Sequence, residues 1–354
     1  MKSYNRLFEK IVSFDNMLLA ARKAERGKRA RPDVCAFDFN LEKELVDLKD
    51  ELKSAAYRPG PYRCFTVHEP KERFISVVPF RDRVVHHAIC NVVVPLLERS
   101  FIYDTYANRV GKGMHQALVR FRQFVQRYRY VLKCDIKKYF ATIDHDILLG
   151  KLERRIRCRR TMELLRRIVE SSPPQESIVQ YFPGDDLWTP MDRRKGIPLG
   201  NLTSQFFANF YLNDFDHYVK ERLRVKPYVR YVDDFSIFGH EKDQLWAAYS
   251  HCRGFMENER LRLHPRKTRI YRTDEGTEFV GFRVFPDRIR IRREGVLRFA
   301  RRLRRQQRLY TEGRIGQEEI KRSLVAWLGH AGHANARRLC GDVLMQTRFV
   351  KVRS

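Results

Sequence analysis

A chain of 354 residues with 43% hydrophobic and 12% aromatic side chains has enough apolar material for a substantial core, which excludes a disordered polypeptide. Its 71 Lys and Arg against 43 Asp and Glu leave a formal charge of +28, far more than solubility requires, so a polyanionic partner is expected. Nucleic acid fits better than a membrane surface, because the basic residues run along the whole chain and no apolar stretch approaches the roughly 20 residues of a spanning helix.

In chain order, Leu7, Ile11, Phe14, Met17 and Leu18 recur at near-helical spacing, and the basic run 22–31 follows before Pro32. This predicts a basic helical arm over residues 1–30. A second helix is predicted over 40–56, with Leu41, Leu45, Leu48 and Leu52 as its buried stripe. Residues 64–67 and 74–78 alternate like strands around a basic turn, which can present Lys71 and Arg73 to a phosphate chain, with Arg81 and Arg83 nearby. After a helix over 84–97, Arg109, Gly111, Lys112 and Gly113 precede another amphipathic helix. Glycines beside basic residues let a backbone approach an anion, and a plain helix-entry loop reads the same way.

An apolar strand over 130–135 ends on Asp135, and Tyr139-Phe140 follow before a helix. A carboxylate at a strand end is well placed to ligate a metal from a rigid element; the alternative is a helix cap. The Pro-, Gly- and Asp-rich interval 171–195 predicts a hairpin or loop insertion. Residues 196–212 (GIPLGNLTSQFFANFYL) lead from a glycine-bearing loop into a helix whose aromatic stripe is core. Gly200, Asn201, Thr203, Ser204 and Gln205 lie where a helix start can meet a nucleotide.

Residues 228–239 (YVRYVDDFSIFG) read as a β-hairpin turning at Asp233-Asp234, although such a turn ordinarily takes Asn-Gly or Asp-Gly. Two neighbouring carboxylates repel, so a divalent cation is one answer and a solvated turn the other. A helix over 242–259 follows. Residues 261–270 then bring Lys267 back toward the sheet, and 277–285 form one further strand with a central glycine. In 283–308 eleven arginines face only Asp287 and Glu294, while Val296, Leu297, Leu303 and Leu309 form an apolar stripe, a pattern suited to tracking a nucleic-acid backbone. Helices are expected over 317–348, with Leu324, Trp327 and Leu328 in the core. The seven cysteines are scattered without a C-x-x-C pair, which argues against disulfides and zinc, and no signal peptide opens the chain.

The central order of strand, helices, strand–turn–strand, helix and strand is close to a split β-α-β-β-α-β arrangement, which brings Asp135 beside Asp233 and Asp234. Three such carboxylates suit two Mg²⁺ ions in in-line phosphoryl transfer. The succession PKERFISVVPFRDRVVHHA, YANRVGKGMHQA, DIKKYFATIDHDIL, GIPLGNLTSQFFANFYL, YVRYVDDF, LHPRKT and FVGFRV resembles the ordered motifs of reverse transcriptases over residues 57–285.

That resemblance implies an α+β, right-hand polymerase fold: fingers over 31–125, and a palm with an antiparallel ferredoxin-like sheet over 126–285. The palm carries the insertion at 172–195 and shares the helix-loop near 196–212 with the fingers, and a basic helical thumb spans 286–354. By position it implies Asp135, Asp233 and Asp234 as catalytic metal ligands, with the backbone carbonyl of Ile136. Two Mg²⁺ ions, or Mn²⁺, would be the cofactors. Lys71, Arg73, Phe140, Leu199, Gly200, Gln205 and Lys267 would meet the incoming dNTP, with Phe140 as the gate against a 2′-hydroxyl. Phe279, Val280, Gly281 and Phe282 would grip the primer. Arg81, Arg83, Arg109, Lys112, Arg298, Arg301, Arg302 and Arg305 would follow the nucleic-acid backbone.

Where most reverse transcriptases have Gln-Gly-x-x-x-Ser-Pro, this chain has Leu199-Gly200-Asn201-Leu202-Thr203-Ser204-Gln205, the form typical of diversity-generating retroelements, and Trp327-Leu328-Gly329-His330 also looks like theirs. Membership of that group implies cDNA copied from a template-repeat RNA with errors concentrated at adenines. It also implies a small, basic, oligomeric accessory protein as partner and a cytoplasmic setting in a bacterium, archaeon or phage-infected cell. A group II intron-like or other bacterial reverse transcriptase of ordinary fidelity, or a non-catalytic RNA-binding scaffold on the same fold, are the other readings.

Overall fold

The structure, a computed structural model, describes residues 3–68, 72–176, 178–345 and 349. Its centre is a four-stranded antiparallel sheet of β3 (Tyr130–Asp135), β4 (Tyr228–Tyr231), β5 (Asp234–Gly239) and β6 (Arg269–Arg272), ordered β4-β5-β3-β6. An outlying antiparallel pair, β1 (Arg63–Val67) and β2 (Arg73–Val77), precedes it in the chain. The central order is that of a split β-α-β-β-α-β unit, with the first strand inside and the hairpin beside it.

Strand periodicity divides the sheet between two cores. Leu132, Cys134, Tyr228, Phe235 and Ile237 face a large cluster with most of the helices, while their neighbours Val131, Val229 and Phe238 face a smaller one. The smaller core is closed by helix Met114–Val125 and by a three-stranded meander, β7 (Thr277–Phe279), β8 (Phe282–Val284) and β9 (Ile289–Ile291). Helices Arg293–Thr311, Gln317–Ala331 and Arg337–Met345 complete that side, with Trp327 stacked on Phe299 at 4.2 Å.

Several expectations are corrected, the first being the fourth strand of the central sheet, which is Arg269–Arg272 rather than 277–285. Residues 277–285 do not form one strand: the chain reverses at Val280-Gly281, with φ of +40° and +92°, the positive values a two-residue hairpin loop needs. The meander's last strand therefore lies beyond the division expected at residue 285. In the arginine-rich helix the buried side chains are Phe299, Leu303 and Tyr310, whereas Leu297 is exposed.

The N-terminal segment is not an arm. Ser13 caps a new helix, accepting from Asn16 N at 3.4 Å, so the predicted helix divides into Phe8–Ile11 and Phe14–Ala24. Met17, Ala20, Ala21 and Ala24 are buried, and Asn16 donates to the Ala88 carbonyl of helix Phe80–Leu97 at 3.0 Å. The 171–195 interval carries no strand among its described residues; a short helix, Thr189–Asp192, sits in a loop pinned by Arg193 to Asp185. No helix among the described residues is long and apolar enough to cross a membrane.

Candidate active site

Asp135 is the last residue of β3 and faces Asp234, the first residue of β5, as its register partner. Because Tyr231 pairs with Asp234, the hairpin turns at Val232-Asp233, one residue earlier than the alternation predicts. Val232 takes φ +59°, a strained choice for a β-branched residue. The Asp233 carbonyl accepts from Ile136 N at 3.3 Å, so the turn is stitched to the end of β3. Bonds from Lys137 N to Arg262 O (2.8 Å) and from His264 N to Asp135 O (2.7 Å) flank the bridge between Ile136 and Leu263, so Ile136 exchanges none with its partner.

Burial, then the charge of Asp135, pushes the Asp233 carboxyl up to about 6; Asp234 adds to this and Lys267 opposes it. Burial also raises Asp234, against the pull of Lys133, whose Nζ lies 3.3 Å from Asp234 Oδ2. Lys267 Nζ lies 2.5 Å from Asp135 Oδ2. The two lysines thus hold two of the three carboxylates, and no group of three His, Cys, Asp or Glu among the described residues surrounds a common point for a metal. Yet Asp234 Oδ1 is buried with no hydrogen-bond partner. An orphaned oxygen beside two further carboxylates, with no nitrogen or sulfur donor among them, fits a hard divalent cation.

Beneath the turn lies a buried network that the alternation pattern does not announce. Arg230, 1% exposed, sends Nε and Nη2 to the two oxygens of Asp216 at 2.7 and 2.6 Å, and Tyr228 Oη donates to the same carboxylate at 2.6 Å. A charged residue inside an apolar strand was the available signal. Lys133 was missed too, although its two-residue offset from Asp135 puts both on one face. It lines a cleft of roughly 650 Å³ with Asp135, Asp234, Lys267, Arg269 and Arg283.

Of the residues expected to meet a nucleotide, Lys71 lies outside the described residues, and Arg73 is exposed at the start of β2. Phe140 is half-buried, packed edge-on against Tyr139 at 5.8 Å, and its carbonyl accepts from Ile197 N at 2.8 Å. The 199–201 loop runs along β2: Ser76 N donates to Leu199 O at 3.1 Å, and the Asn201 side chain bonds Ser76 O and Val78 N at 3.2 and 3.3 Å. Gly200 sits at φ +117°, where a side chain is strained, and a Cβ there would press on Ile75 Cγ2 at 3.2 Å. Asn201 in the loop and Thr203 and Ser204 in helix Leu202–Tyr211 are buried, whereas Gln205 is exposed.

The other groups divide. Phe279 and Phe282 are core residues, Phe279 stacked on Phe121 at 4.2 Å and Phe282 on His330 at 4.4 Å, and only the Val280-Gly281 turn between them reaches the surface. Arg109 does not stand free for a phosphate: it is paired with Glu98 at 2.7 Å and donates to the carbonyls of Ile102 and Thr105. Arg81 forms a fork with Glu51, both bonds 2.8 Å, and Lys112 lies 3.3 Å over the Tyr103 ring. Arg83 is half-buried, with Nη1 unpartnered. Arg298, Arg301, Arg302 and Arg305 are all exposed on helix Arg293–Thr311.

Residues 67–284 match the family described as reverse transcriptase (RNA-dependent DNA polymerase). Protein YkfC of Escherichia coli K12 is 29% identical over 292 residues, which cover 71% of this chain and 73% of that one. The group II intron-encoded protein LtrA of Lactococcus lactis subsp. cremoris is 21% identical over 83% of this chain, which spans 58% of LtrA. Among solved structures, apo telomerase from Candida tropicalis gives a TM-score of 0.44 at 11% identity, over 65% of this chain and 48% of that one. With more than half its length matched, the chain belongs to the reverse transcriptase family, and its fold is that of a right-hand RNA-directed DNA polymerase.

Proposed function

We propose that Asp135, Asp233 and Asp234, with the Ile136 carbonyl, hold two divalent cations, Mg²⁺ or Mn²⁺, and that this site joins a primer 3′-oxygen to the α-phosphorus of a dNTP, releasing pyrophosphate. Such ions, when bound, supply charge stabilisation to the attacking and leaving oxygens. The observation that carries the reading is the register pairing of Asp135 with Asp234, with the orphaned Oδ1 between strand end and turn. Lys267 and Lys133, which neutralise the acids in the ion-free protein, are freed to face the triphosphate side of the cleft. Phe140 closes the ribose side, and the loop at Leu199 and Gly200 shapes the seat of the base pair. Residues 31–125 act as fingers, 126–291 as palm with its meander and 292–354 as thumb, the exposed arginines following the RNA/cDNA duplex. The test is dNTP incorporation on an RNA template by Asp233→Asn beside wild type; equal rates would exclude this metal site.

At a finer level, we propose a cytoplasmic enzyme of the diversity-generating type, copying a template-repeat RNA with errors at adenines and working with a small basic accessory protein. Leu199 supports this, because a side chain without an amide leaves base-pair selection to shape. The likeness to LtrA favours a second reading, an intron-type enzyme of ordinary fidelity. Sequencing the cDNA separates them: errors spread evenly over the four template bases would sink the first.

A further inference from the structure

We infer that Arg230 is a positioning residue for the catalytic turn, held by Asp216 and Asn209 so that its guanidinium fixes the carbonyl of Val232 and thereby the place of Asp233. The inference rests on the assignment of Asp233 as a metal ligand.

A guanidinium offers five N–H donors, and all five are used here. Nε and one Nη2 hydrogen take the Asp216 carboxylate at 2.7 and 2.6 Å; the other Nη2 hydrogen goes to Asn209 O at 3.2 Å; Nη1 reaches Asn209 Oδ1 at 3.3 Å and Val232 O at 2.9 Å. The backbone of Arg230 is fixed as well, its N–H donating to Asp104 O at 3.0 Å and its carbonyl accepting from Tyr106 N at 3.2 Å. If the pair served stability alone, Asp216 would be partner enough. A buried ion pair is a weak source of stability, because desolvation offsets most of the attraction. What distinguishes this one is the fifth donor, aimed at the residue immediately before Asp233.

That residue is strained. Val232 has φ +59°, where a β-branched side chain crowds its own backbone, and such a conformation persists only where its surroundings over-determine it. The Arg230 bond to its carbonyl is the constraint on one side, and the bond from Ile136 N to Asp233 O is the constraint on the other. Residues behind metal ligands typically change metal affinity by 10–100-fold when replaced. Lysine at 230 keeps the charge opposite Asp216, but a single ammonium cannot span Asp216, Asn209 and Val232 in a planar fork.

The experiment measures Mn²⁺ binding by electron paramagnetic resonance, together with kcat and KM for dNTP, on the full chain at a temperature where each variant is folded. Arg230→Lys is expected to bind Mn²⁺ about ten-fold more weakly and to lose kcat with little change in KM. Val232→Gly, whose glycine adopts positive φ without strain, is expected to restore most of the Mn²⁺ affinity in the Arg230→Lys background. A general loss of packing would not be repaired by that second change. Unaltered Mn²⁺ affinity in Arg230→Lys, or an Arg230→Lys/Val232→Gly protein that is folded yet does not regain affinity, overturns the inference. Asp233→Asn run alongside separates the two levels: if it binds Mn²⁺ as wild type does, the metal-site reading has failed. If it loses binding while Arg230→Lys does not, only the positioning role has failed.

Discussion

At the scale of single residues, three acids brought this close are costly to keep charged. The folded-state carboxyl of Asp233 titrates near 6, above the ordinary 3.8, because burial and the neighbouring acids disfavour its charge. A raised acid contributes stability that is fully present below about pH 3.8 and is lost as pH rises through about 6. In chelator, Asp233→Asn escapes that loss. Its stability relative to wild type should therefore grow by about 2 kcal/mol between pH 4 and pH 7, read from urea unfolding at each pH. A flat difference would mean that Asp233 is not buried among like charges. The acids were legible in the sequence as residue types, and Asp135 as a strand end. The exact turn was not, because Val232 at positive φ contradicts its own propensity and is held there by tertiary contacts, among them the bonds from Arg230 and Ile136.

At the scale of elements, alternation predicted β3, β4 and β5, whose two faces meet the two cores, but not the edge strand β6, which is largely exposed and carries no apolar pattern. It failed where the elements are three residues long: strands of that length carry too little periodicity to betray the reversal at Val280-Gly281. The consequence for the expected primer grip is that Phe279 anchors the hairpin from inside. Phe279→Ala should cost about 3 kcal/mol of unfolding free energy by removing a ring stacked on Phe121. Loss of primer binding with unchanged stability would instead return Phe279 to the surface. The N-terminal helices taught the converse lesson: a basic run after an amphipathic stripe looked detachable, yet the apolar face of Phe14–Ala24 was already the better guide.

At the scale of the whole molecule, a charge of +28 is not spread evenly in function. Arg81 and Arg109 are engaged by internal carboxylates, whereas Arg298, Arg301, Arg302 and Arg305 remain open along one helix. Exchanging these four for Gln should leave folding intact. It should also lower the slope of log affinity against log salt for an RNA/DNA duplex by about 1 for each phosphate no longer neutralised. An unchanged slope would move the duplex off this helix. The central sheet also shows how its two edge strands are protected. Its outer strand β4 is sealed by the 104–106 backbone through Arg230, and the opposite edge, β6, carries Arg269 and Arg272. One border bridged at Arg230 and the other carrying two arginines both disfavour extension of the sheet by a neighbouring chain.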